Sequence, residues 1–129
     1  MRRILLAALV CAIYIPAQDK KPKLPEIEVL QAAFRRSDDL TISADGILKN
    51  TGTEALRKVS VILEFFDPDK QSILLKKGQI ESALLEPGDS AEFHLQLRSS
   101  PRAIHATITA EDGGTRPLRV GNSGPYNIE

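Results

Sequence analysis

The sequence predicts an all-β fold, a two-sheet antiparallel sandwich of seven strands set behind an N-terminal signal peptide. Three observations predict it. Apolar residues recur with a period of two through most of the chain, which is the mark of strands that bury one face. Turn-forming groups punctuate these stretches at even intervals: Asn50-Thr51-Gly52, Asp67-Pro68-Asp69, Glu86-Pro87-Gly88-Asp89 and Glu111-Asp112-Gly113-Gly114. Short strands spaced in this way are typical of small sandwiches. The first residues, finally, differ from the rest, with a basic start and then an apolar run.

That leader comes first in the chain. Met1-Arg2-Arg3 precedes an apolar stretch from Ile4 to Ile15, which ends at Pro16-Ala17 before the polar Gln18-Asp19-Lys20-Lys21. The stretch falls short of the ~20 apolar residues that cross a bilayer, and its layout is that of a secretory signal peptide cut after Ala17. Cys11 follows Leu9-Val10 rather than a small residue and lies inside the apolar run, so a lipid-anchored reading fits poorly. The expected mature chain is secreted or periplasmic and has no cysteine, hence no disulfide and no thiolate metal site. Residues 18–25, Gln-Asp-Lys-Lys-Pro-Lys-Leu-Pro, read as a stiff solvated linker.

Residues 26–120 then read as one folded domain. Ile27, Leu30 and Phe34 fit helical spacing as well as a strand over 26–34; an edge strand leading into the next element is favoured. Leu40 and Ile42 open a strand over 39–50, in which Gly46 signals a bulge or a close backbone approach. Val59, Val61, Leu63 and Phe65 give 56–66 its buried face, and Asp67-Pro68 ends it, because proline presets φ and aspartate bonds back to the backbone. Ile73 and Leu75 mark 71–80. Ala91, Phe93, Leu95 and Leu97 mark 90–98, and Ile104, Ala106, Ile108 and Ala110 mark 103–111. A Gly-Gly hairpin leads to a last strand over 115–120, and 121–129 read as a C-terminal tail.

Three segments in this order carry a family resemblance. Leu48-Lys49-Asn50-Thr51-Gly52, Leu63-Glu64-Phe65-Phe66-Asp67 and Leu85-Glu86-Pro87-Gly88-Asp89-Ser90-Ala91-Glu92-Phe93 resemble the bacterial FxLYD-type and related immunoglobulin-like domains of secreted proteins. In the name motif, Leu63, Phe65 and Phe66 replace Phe, Leu and Tyr, and Asp67 is retained. The resemblance covers about residues 26–111. It implies an immunoglobulin-like sandwich and an envelope or extracellular module that binds other molecules.

Composition limits the chemistry. The full chain has 17 basic and 17 acidic residues, which disfavours a nucleic-acid partner held by phosphate neutralisation. Losing Arg2 and Arg3 with the leader leaves acids in slight excess. No Gly-x-Ser-x-Gly elbow and no phosphate-binding glycine loop occurs, so no enzyme is expected. The absence of Trp leaves few aromatics for a sugar platform. Asp67-Pro68-Asp69 starts like a calcium loop but lacks the glycine and the distal glutamate such loops need. His94 and His105 both sit at polar phases, and neighbouring strands would bring them within ~5 Å; two ligands alone make a weak metal site, and no cofactor is expected. The feature that stands out is Ile62 and Phe66, apolar on the face opposite Val61, Leu63 and Phe65. Something should cover that second face: the tail Pro125-Tyr126-Asn127-Ile128, a partner protein, or a second copy. The expected function is a non-enzymatic module for binding or assembly in the envelope, with a ligand or metal carrier using His94, His105 or Asp67 as the alternative.

Overall fold

The computed structural model describes residues 24–129; the leader, Cys11 and most of the Lys/Pro-rich linker lie outside the described residues. Every regular element among them is a strand, and there are eleven where seven were expected: β1 (Ile27–Arg36), β2 (Thr41–Asn50), β3 (Leu56–Arg57), β4 (Ser60–Phe66), β5 (Ser72–Gln79), β6 (Leu84–Leu85), β7 (Ser90–Arg98), β8 (His105–Asp112), β9 (Arg116–Pro117), β10 (Val120–Gly121) and β11 (Tyr126–Asn127). The ambiguous stretch at 26–36 is therefore a strand. The excess has local causes. Lys58 adopts a left-handed φ of 50° and breaks the expected 56–66 strand into β3 and β4. The expected 115–120 strand divides because β9 pairs with β8 whereas β10 pairs with β1 in the other sheet. β6 and β11 are two-residue strands in regions read as turn and tail.

Two main sheets result, ordered β10-β1-β2-β7 and β11-β8-β4-β5 with β9 beside β8; β3 and β6 form a small third ladder. The main sheets share one core. Ile27, Val29, Phe34, Ile42, Ala44, Leu48 and Phe93 come from the first, and Val61, Leu63, Phe65, Ala106, Ile108 and Ala110 from the second. Each set follows the alternation of its strand, so the period-two pattern is the direct cause of the layering. Phe34 lies near the middle, with its ring edge-on to Phe65 at 6.0 Å and tilted against Tyr126 at 6.0 Å.

Gly46 meets both expectations made of it. β1 bulges between Val29 and Gln31 against the Gly46 region of β2, and a Cβ on Gly46 would lie 2.3 Å from Phe93 Cε2 and 2.7 Å from the Gln31 carbonyl oxygen. The Phe93 ring takes the space a side chain would need.

The C-terminal segment is structural rather than a loose tail. The chain leaves β8 through the Gly113-Gly114 turn, crosses to β1 as β10, and returns to β8 as β11. Ile128 bridges Phe34 in parallel, and the Glu129 amide donates to the Phe34 carbonyl at 2.9 Å. Asn122, which takes a φ of 65°, donates its side-chain amide to the Val29 carbonyl at 3.0 Å. This segment thus stitches the two sheets along one side of the sandwich.

Two of the family-like segments meet at Asn50. Its side chain is buried; Nδ2 donates to the carbonyls of Glu54 at 2.8 Å and Leu85 at 2.9 Å, and Oδ1 accepts from the Gly52 amide at 2.9 Å. Its main chain bonds the Glu86–Asp89 turn, accepting from the Gly88 amide at 2.8 Å and donating to the Asp89 carbonyl at 2.9 Å. Gly88, at φ 89°, supplies the positive φ that the third position of a Pro-Gly turn requires. Replacing Asn50 by Ala strands buried backbone groups and is expected to lower unfolding stability by about 3 kcal/mol. Asn50→Asp should fare worse, because a carboxylate cannot donate to either carbonyl. Urea unfolding checks both; a loss under about 1 kcal/mol for Asn50→Ala would contradict the role given to this side chain.

Candidate functional site

β4 is the central strand of its sheet, paired with β5 on one side and β8 on the other. Its inner residues Val61, Leu63 and Phe65 are wholly buried, and Ile62, Glu64 and Phe66 point to the outer face, where each is half-buried. Register fixes their neighbours. Ile62 lies between Lys77 and Thr109, Glu64 between Leu75 and Thr107, and Phe66 between Ser72 and His105. Leu75 is 62% exposed and Ile73 38%. Phe66, Lys70, His105, Thr107 and Pro125 line a shallow depression of about 330 Å³. The C-terminal segment folds back, but as an edge strand rather than a cover. Tyr126 and Asn127 pair with Ala106 and His105, the Tyr126 ring turns toward Phe34, and Pro125 alone reaches the depression beside Phe66.

The histidines do not come together. β7 and β8 belong to different sheets, so His94 and His105 stand on strands of opposite layers. The expectation failed because alternation reveals a strand's phase and not its sheet. His94 Nδ1 contacts Asp45 Oδ1, its cross-strand partner on β2. The pair borders a depression of about 350 Å³ beside the β1 bulge, shared with Gln31 and Glu92. His105 is the neighbour of Phe66 on the other sheet. Among the described residues no group of three or more His, Cys, Asp or Glu side chains is placed to hold a metal ion.

Asp67 works within its own turn. Its buried carboxylate accepts from the amides of Asp69 at 2.9 Å and Gln71 at 3.0 Å, both on Oδ1, while the Lys70 amide donates to its carbonyl at 2.9 Å. Arg102 Nη2 lies 3.5 Å from Oδ2 of both Asp67 and Asp69, so a guanidinium occupies the place between the two carboxylates. The Gln71 amide, then the Asp69 amide and Arg102, hold the Asp67 carboxyl below its ordinary pKa, and desolvation only partly opposes them.

A second acidic centre escaped the sequence reading. Glu26 accepts from the Arg119 amide at 3.0 Å and from Arg116 Nη1 at 3.1 Å, and Arg119 Nη1 lies 3.5 Å away. The Arg119 amide leads the groups that keep its pKa low, against some desolvation. These residues border an open groove of about 440 Å³ with Asn50 and the Thr51–Glu54 loop. More than ninety positions separate Glu26 from Arg119, and nothing in the local sequence joins them.

No family model and no curated protein matches this sequence. Solved structures do share its shape. IrmA from Escherichia coli overlays with a TM-score of 0.51 at 13% identity, covering 82% of this chain and 99% of that one. A β-glucuronidase of Bacteroides uniformis gives 0.48 at 17% identity over 73% of this chain, which spans only 12% of the glucuronidase. The ApaA protein of Bordetella pertussis gives 0.45 at 14% identity, over 79% and 98%. Likeness at such identities extends to the fold alone. No helix among the described residues is long and apolar enough to cross a membrane.

The lowered carboxyls set a pH response. A carboxyl whose folded pKa lies below its unfolded value (~3.9 for Asp) contributes stability above that value and loses it as pH falls through the folded pKa. Asp67 and Glu26 share this sign, as does Asp39, held low first by the Ser37 hydroxyl. The unfolding midpoint should therefore hold steady down to about pH 5 and drop below it. Asp67→Asn, which keeps the turn's acceptor oxygen but not the charge, should show a shallower acid decline; identical pH profiles for the two proteins would rule out Asp67 as a contributor.

Proposed function

We propose that this chain is an exported, non-enzymatic immunoglobulin-like module that binds another protein of the cell envelope or its surroundings through the outer face of β4. The observation that carries the reading is the pair Ile62 and Phe66, left half-buried on a sheet face beside the exposed Leu75 and Ile73. Apolar side chains in such a group are a common mark of an interaction surface. Export rests on the Met1–Ala17 leader. The strand order supports the immunoglobulin-like assignment: β1-β2-β7 in one layer and β11-β8-β4-β5 in the other correspond to the A-B-E and G-F-C-C′ plan of such sandwiches. It also keeps the FxLYD-type resemblance in play, since the three segments that carry it fall at the ends of β2 and β4 and at the start of β7.

A ligand or metal carrier is the weaker reading. His94 and His105 lie in different layers, and the Asp67 oxygens already serve the turn and Arg102.

A photo-cross-linking residue at position 62 should yield a discrete heterologous adduct in cells that export the protein. Phe66→Asp should abolish that adduct while leaving the purified domain folded, with a melting temperature within a few degrees of the wild type. Unfolding of Phe66→Asp would show the face to be internal, and a wild-type protein without any adduct would refute the reading.

A further inference from the structure

The two sides of the sandwich are unlike. The C-terminal segment closes one by bonding to both β1 and β8, whereas the other ends in β5 and β7, the terminal strands of their sheets. β5 pairs with β4 and, among the described residues, with no strand beyond it.

The direction of its backbone follows from the ladder. The Ile80 amide donates to the Val59 carbonyl at 3.2 Å, and antiparallel pairing alternates bonded and non-bonded residues. Gly78, Lys76 and Leu74 therefore bond to β4, and Leu75, Lys77 and Gln79 direct their N–H and C=O groups away from it. Glu81, next on that phase, donates across to the Glu92 carbonyl of β7 at 3.1 Å. Beyond that single closure the edge is open.

Charge decides what such an edge accepts. β5 reads Ser-Ile-Leu-Leu-Lys-Lys-Gly-Gln, with two lysines and no acid, and Arg98 at the end of β7 borders a small depression with Ile73 and Leu74. Lysine on an edge strand discourages pairing with like-charged or neutral copies. A two-fold β5–β5 ladder would gather four lysines, and like charges across a ladder destabilise it. A strand bearing carboxylates meets no such barrier. Lys77 is held at 2.7 Å by Glu111, and exposed pairs of this kind exchange partners at little cost.

We propose that β5 is a receiving edge for an extended acidic segment of a partner protein, which adds as a new antiparallel strand with carboxylates near Lys76 and Lys77 and an apolar residue against Leu75. This rests on the binding function proposed above and names the partner's chemistry.

The test uses the domain behind its linker and a short soluble peptide alternating glutamate with valine, with two controls: the lysine counterpart, and the glutamate peptide N-methylated at alternate residues. The acidic peptide should bind at least tenfold more tightly than either control and slow hydrogen exchange at Leu75, Lys77 and Gln79. Lys77→Gln should cost a few-fold in affinity, and Lys77→Pro, which also removes an outward N–H, at least tenfold more; the N-methylated control reads the same bond without altering the fold. Equal binding of the peptides, protection confined to β7 or the Phe66 depression, or a concentration-dependent dimer protecting β5 without peptide would each overturn the proposal. An Ile62 adduct that persists when the peptide fails would leave the outer-face reading standing and this one refuted.

Discussion

The constraint on which the rest of the structure depends is the double membership of its last strands. From Arg116 onward the chain pairs with β8, then β1, then β8 again, and Ile128 and Glu129 bond back to β1 beside Phe34. Two sheets that meet only through side chains can slide or splay at their margins. Here main-chain bonds fix their separation along one side, and Tyr126 is carried into contact with Phe34, whose ring in turn meets Phe65 of the opposite sheet. The core and the closed margin therefore form one cooperative unit, so opening the margin exposes the middle of the core.

A margin closed on one side leaves its counterpart to be managed by side chains. On the β5 side the devices are local: lysines on the edge strand, and Gly78, whose missing side chain makes room for Leu95 of β7. A Cβ there would lie 2.2 Å from Leu95 Cδ2, so the two free edges approach each other closely at that point. Ahead of it, toward Ile73, the gap widens into the depression that Arg98 borders. The same pair of strands is thus packed at one end and open at the other.

Much of this was legible in the sequence, for a physical reason. A strand that buries one face must alternate, and Val59 to Phe66 or Ala91 to Arg98 alternate so strictly that no helix could present the same residues to a core. Turn chemistry was equally direct: Asp67-Pro68 and Pro87-Gly88 form turns because their φ preferences and short side chains act locally. What local signals do not encode is partnership between distant segments. Nothing near Asn122 says that its amide will reach Val29, and a run of Asn, Ser, Gly and Pro looks like a tail whether it dangles or crosses between sheets. The same limit separated His94 from His105 and hid the Glu26 cluster, whose partners lie at the far end of the chain.

The face of Ile62 and Phe66 shows where pattern and structure inform each other. The sequence identified apolar residues at the wrong phase of a buried strand, and the structure shows which neighbours they have. Glu64 and Thr107 lie between the two apolar positions, and Lys77 and Thr109 flank the first. A face meant for a permanent internal cover would gain by making these positions apolar, since each polar group buried without a partner costs about 1–3 kcal/mol. A surface that must remain soluble alone and still present apolar contacts needs this interleaving. The mixed composition of the β4 face and the lysines of the adjoining β5 edge therefore answer one requirement: each keeps copies of the domain apart while leaving a defined place for something complementary.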